Sequence, residues 1–169
     1  MTVMDLKKFE KKAGKKKDKL VKFLKKLDKI VPEDMPKLVK EVDATVWADV
    51  QCLECANCCK TMTPTYTKKD LVRISAHFNM TPKEFKAKWL YKDEGGDWMN
   101  VSTPCQFLGG DNKCTIYEIR PDDCAGFPHH NKKPFHLYND TYANNVHRCP
   151  ATYDLVNKLR KRVEQEYEW

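Results

Sequence analysis

Between Leu6 and Ile30 the apolar residues Leu6, Phe9, Leu20, Phe23, Leu24, Leu27 and Ile30 fall mostly three or four apart, with lysines filling the positions between them. That spacing predicts an amphipathic helix, with a break at Gly14 among its lysine neighbours. Pro32 and Pro36 mark a short linker, and Leu38, Val42, Val46 and Trp47 predict a second amphipathic helix. Two capping boxes follow. Thr67-Lys68-Lys69-Asp70 precedes Leu71, Ile74 and Phe78, and Thr81-Pro82-Lys83-Glu84 precedes Phe85 and Trp89. Each predicts a short helix, the second strengthened by proline at its first position.

From Trp98 to Tyr117 the pattern changes. Val101, Phe107, Ile116 and Tyr117 surround a Gly109-Gly110-Asp111-Asn112 turn, which predicts a small hairpin carrying Cys105 and Cys114 on its arms. An irregular loop containing proline and histidine comes next. Asp122 and Asp123, after Arg120-Pro121, read as the charged first turn of a short helix. Leu155, Leu159 and Val163 recur four apart in a terminal helix. The expected fold is mostly α with a small β-hairpin and an irregular centre pinned by metal, preceded by a basic helical extension. The expected domains are residues 1–31 for that extension and 32–169 for a cysteine-cluster domain.

Charge sharpens this division. Residues 1–30 hold twelve lysines against Asp5, Glu10, Asp18 and Asp28, so the net charge of +7 belongs to the leader. Such a leader either packs its stripe on the domain and leaves its lysines solvated, or contacts an anionic partner: RNA, DNA, lipid headgroups or an acidic protein. Its only aromatics are Phe9 and Phe23, too few for a base-stacking platform.

The chemistry lies in eight cysteines gathered in the middle of the chain: Cys52, Cys55, Cys58, Cys59, Cys105, Cys114, Cys124 and Cys149. At 169 residues the chain can bury a core without covalent staples, so the cysteines need another explanation. The N-terminus lacks a secretory h-region and no stretch is long and apolar enough to span a membrane, so a cytoplasmic location is expected. In that reducing compartment clustered cysteines point to metal or redox chemistry rather than to disulfides. All eight are candidate metal ligands.

Cys52-Leu-Glu-Cys55-Ala-Asn-Cys58-Cys59 carries the strongest signal. Two-residue spacing lets tight turns bring thiolates onto one centre. Adjacent Cys58 and Cys59 are expected to point in different directions, with Cys59 serving a second centre or lining the core. Zinc sites pair one C-x2-C with a distant second pair, whereas a C-x2-C-x2-C run with a remote Cys-Pro, here Cys149-Pro150, is a pattern of iron-sulfur ligation. Zinc and an iron-sulfur cluster both stand as expected cofactors. Lys60, Lys113, Arg120 and Arg148 lie close in sequence to cysteines and could offset thiolate charge. His129, His130 and His147 flank Cys124 and Cys149 and could ligate, but eight thiolates already fill two four-coordinate sites, so each is expected either to support the ligands or to lie exposed.

The combination of this run with Cys105-Gln106-Phe107-Leu108, then Cys114-Thr-Ile116-Tyr117-Glu118-Ile-Arg120-Pro121-Asp-Asp-Cys124 and Phe127-Pro128, resembles the YkgJ-type cysteine-cluster family. The resemblance runs from about Cys52 to Cys149 and implies zinc or iron chelation. Some members resemble the cysteine-bearing part of flagellin lysine methylases, where an iron-sulfur centre is expected. Ala125 stands where an arginine commonly follows the cysteine, so any role of that arginine is missing. No G-x-G-x-x-G, Walker A, G-x-S-x-G or H-E-x-x-H pattern occurs, which removes the common nucleotide, hydrolase and metalloprotease readings. The function expected first is a metal-binding module. An iron-sulfur enzyme with methyl-transferring or redox activity comes second, and a nucleic-acid adaptor using the leader third.

Overall fold

The computed structural model describes residues 5–168. Helices dominate, and the chain packs as two compact units: one formed by the chain up to Cys55 and from Pro128 onward, the other by Ala56–Phe127.

The first unit is helical. Its elements are α1 (Leu6–Leu27), α2 (Met35–Asp49), α3 (Cys52–Cys55), α8 (Asn139–Asn145) and α9 (Pro150–Glu166). Asp5 caps α1 by accepting from the Lys8 N–H at 3.0 Å, and Pro150 starts α9 where its missing N–H costs nothing. Phe9, Ala13, Leu20, Phe23, Leu24 and Leu27 form the buried stripe of α1, which packs on α8 and α9. The break expected at Gly14 does not occur. A Cβ there would meet open space, so the glycine lies on the outer side and costs only helix propensity, about 1 kcal/mol. Burial of Phe9, edge-on to Tyr153 at 5.8 Å, carries the helix through. Leu155, Val156, Leu159 and Val163 of α9 are fully buried, and α9 packs against α2 as well.

The second unit contains α4 (Asn57–Thr61), α5 (Lys68–His77), α6 (Pro82–Trp89), β1 (Leu90–Lys92), β2 (Trp98–Asn100) and α7 (Asp122–Gly126). Both capping boxes form reciprocally, through Thr67 with Asp70 and Thr81 with Glu84. The core is small and aromatic: Tyr66, Leu71, Ile74, Phe85, Leu90, Phe107 and Ile116 are buried, with Phe78 and Trp89 against them. Phe85 and Phe107 stack with nearly parallel rings 6.3 Å apart.

The hairpin is present but lies upstream of its expected place. Leu90–Lys92 pairs antiparallel with Trp98–Asn100, registering Leu90 with Asn100 and Lys92 with Trp98. Asp93 closes it, accepting the Asp97 N–H on its carboxylate at 2.8 Å, while Gly96 takes φ 89°, a backbone region that favours glycine. The Gly109–Asn112 segment does turn, with Gly109 N–H donating to the Lys113 carbonyl at 2.7 Å, yet only one bridge forms, between Leu108 and Cys114. Cys105 is excluded from any ladder because the Leu108 N–H turns back onto its carbonyl at 3.0 Å.

Candidate metal centre

The cysteine run is divided by the backbone. Ala56 takes φ 47° and ψ 19°, a left-handed conformation that a helix of L-residues cannot continue through. Cys52 and Cys55 therefore sit on α3, and Cys58 and Cys59 on the separate turn α4.

On α4 the two adjacent sulfurs lie 4.0 Å apart. This corrects the expectation that they diverge. Successive residues on one helical turn are offset by roughly 100°, which suitable side-chain rotamers can close. Four thiolates at about 2.3 Å from one ion would stand roughly 3.8 Å from one another, so this pair has the edge length of a tetrahedral thiolate site. The Cys58 hydrogen bond draws the Cys59 thiol down to about 7; burial opposes the shift, and the Cys59 backbone and Lys60 reinforce it.

Within the same unit the fold brings three distal cysteines into the electrostatic field of Cys59. Cys105 is tied to α4 directly, its N–H donating to the Cys59 carbonyl at 2.7 Å. Cys114 follows the Gly109–Asn112 turn, and Cys124 lies on α7, where Asp123 accepts the Thr65 N–H at 3.1 Å. Burial raises all three thiols, and the charge of Cys59 raises each further. Arg120 works against this at Cys114. Among the described residues no three His, Cys, Asp or Glu side chains stand at metal-ligand spacing. The thiols are neighbours without being a closed shell.

Polar residues that the sequence reading did not single out support this group. The Cys105 sulfur accepts from Asn100 Nδ2 at 3.2 Å and from the Phe107 N–H at 3.4 Å. Asn100 is buried, and its Oδ1 accepts from the Tyr66 hydroxyl at 2.6 Å and from Gln106 Nε2 at 2.9 Å. Burial and the nearby thiol charges raise the Tyr66 phenol, so it remains a donor. These two N–H groups favour the anionic sulfur, but burial outweighs them and the thiol stays raised. The one available signal was Asn100 at a strand end five residues before Cys105, which spacing rules do not flag.

In the first unit Cys55 and Cys149 are both buried, and burial pushes the Cys149 thiol up, with the charge of Cys55 adding to it. Cys52 is exposed. The Thr152 side chain and N–H bond the Cys149 sulfur. Thr152 Oγ1 also lies 3.1 Å from His130 Nε2, whose Nδ1 lies 2.7 Å from Asp43 Oδ1. Both His130 nitrogens are thus engaged within the protein, in a chain that supports Cys149. Burial lowers the His147 pKa, keeping the imidazole neutral. Among the described residues no disulfide joins any of the eight cysteines.

Soft sulfur donors in this number, two of them at tetrahedral edge spacing, fit zinc or iron. Among the described residues no helix is long and apolar enough to cross a membrane. No curated protein and no solved structure matches the chain. Residues 51–150 match the CxxCxxCC family, described as a putative zinc- or iron-chelating domain, and that span runs from just before Cys52 to just past Cys149. The chain belongs to this metal-chelating family.

Proposed function

We propose that the chain is a metal-thiolate module in which Cys58, Cys59, Cys105, Cys114 and Cys124 provide the principal donor group, with Cys52, Cys55 and Cys149 as further donors. The observation carrying this reading is the Cys58–Cys59 pair, 4.0 Å apart, with three distal thiols in the field of Cys59. Bound there, zinc or an iron-sulfur cluster would cross-link turns and loops that otherwise close at an entropic cost. The protein's contribution is to hold sulfurs out of water, to donate N–H groups to them and to bring Lys60 and Arg120 near Cys59 and Cys114. Cysteines that form no disulfide favour the reducing cytoplasm as the working compartment.

Anaerobic purification, elemental analysis and a visible spectrum test this. Iron with acid-labile sulfide and a broad brown absorbance selects an iron-sulfur centre; stoichiometric zinc in a colourless protein selects zinc. Cys59→Ser and Cys105→Ser should each lose metal. Retention of full metal content by both variants would sink the assignment.

A further inference from the structure

We propose that the outer face of α1 docks on the phosphate backbone of double-stranded nucleic acid without reading its sequence. Lys7, Lys8, Lys11, Lys15, Lys19 and Lys22 are all exposed, and their helical spacing puts them on one side of α1. Among the described residues none of the six has an acidic partner within ion-pair distance. The first turn after the Asp5 cap contains no acid; of the two carboxylates within the helix, Glu10 lies to one side of the stripe and Asp18 falls on it, between Lys15 and Lys22, leaving six lysines against one acid on that face. Helix stability does not explain this arrangement. Lysines in the first turn oppose the positive end of the helix dipole, and Lys7–Lys11, Lys11–Lys15 and Lys15–Lys19 are like-charge pairs four residues apart. A face that repels itself is relieved when a polyanion lies along it.

The form of the face selects the partner. Along the 22 residues of α1 the stripe from Lys7 to Lys22 is about 23 Å long. A duplex offers a linear array of still denser charge, and its condensed counterions are released as lysines replace them. A membrane-surface helix needs an apolar face to insert, and here Phe9, Leu20, Phe23, Leu24 and Leu27 are buried in the protein. Phe9 and Phe23, the only aromatics of the helix, are buried too, so single-strand base stacking has no platform. Lysine carries point charge without the bidentate fork that distinguishes bases, so binding follows the backbone alone.

Fluorescence anisotropy of the full chain with labelled 20-base-pair duplexes of two unrelated sequences, from about 50 to 200 mM salt, tests this. Equal affinity for both sequences is expected, with a log–log salt slope near −5 for about six neutralised phosphates. Replacing Lys11, Lys15, Lys19 and Lys22 together by glutamine should weaken binding at least about tenfold while leaving helicity by circular dichroism intact. Replacing Lys68, Lys69, Lys83 and Lys92 by glutamine removes the same charge elsewhere and should leave most of the affinity. Equal losses in the two variants, no duplex binding at 50 mM salt, or binding to phosphatidylserine vesicles without duplex binding would each overturn the proposal.

Discussion

The two units are built on different principles. The unit containing α1, α2 and α9 rests on long helices whose stripes are fully buried, with Leu20, Leu27, Leu155 and Leu159 at 0% exposure. The Ala56–Phe127 unit has helices of at most ten residues, two three-residue strands and a seven-residue buried cluster, yet it carries five of the eight cysteines. Helices that short are marginal without tertiary support. Most of the thiols therefore lie in the unit with the shorter helices, the unit that a metal bound as proposed above would stabilise most. Perturbing each unit separately breaks or sharpens this contrast.

The largest effect should come from removing metal. Chelation is expected to lower amide protection between Trp98 and Tyr117 by more than about tenfold while α9 keeps its protection. Hydrogen exchange checks this, and equal loss in both regions would erase the distinction between the units. Next, Leu159→Ala should destabilise the helical unit by about 2–5 kcal/mol in denaturant unfolding. Metal content at low temperature should be unchanged. The isosteric Thr152→Val leaves His130 Nε2 and the Cys149 sulfur without the hydroxyl and should cost about 1–3 kcal/mol, with Thr152→Ser restoring most of it.

Acid should act on the smaller unit. Burial alone would raise the Asp70 carboxyl, but bonds from the Thr67 hydroxyl and N–H, the Asp122 N–H and Arg73 outweigh it and hold the pKa below its usual value. A carboxyl lowered on folding gives stability that is complete above its unfolded pKa, near 4, and is lost as pH falls through the folded value. Unfolding followed from pH 6 to pH 2 should show this limb, and Asp70→Asn should flatten it. The smallest change expected is at α6, where Thr81→Ala removes one exposed cap and should cost about 1 kcal/mol by thermal unfolding.

Local chemistry was legible in the sequence. Thr67 with Asp70 and Thr81 with Glu84 form the capping boxes that their spacing predicts, and the α1 and α9 stripes bury most of the residues that periodicity selects; Leu6 is only half-buried, and Ile30 is exposed beyond the end of α1. Features decided over distance were not. Gly109–Asn112 is a strong turn signal but could not reveal that Trp98–Asn100 already pairs with Leu90–Lys92. Side-chain direction at Cys58 and Cys59 depends on where a short helix starts, and that is set by the conformation of Ala56. Asn100, Tyr66 and Gln106 meet Cys105 only through the fold.

Ala56 gives the cysteine motif a handedness. It is a buried L-residue held in the mirror-image half of backbone space, at a cost of about 1–2 kcal/mol that achiral glycine escapes. If the chain instead passed through Ala56 in the ordinary right-handed helix, all four cysteines would share a single cylinder, with Cys52, Cys55 and Cys59 along one side, instead of lying on two separate helical turns. The same eight letters thus encode two sulfur arrangements, and the chirality of one methyl-bearing carbon separates them. A chain made by chemical ligation with D-alanine at this position would fit the observed backbone without strain, so the arrangement of the sulfurs could be held while its conformational cost is removed.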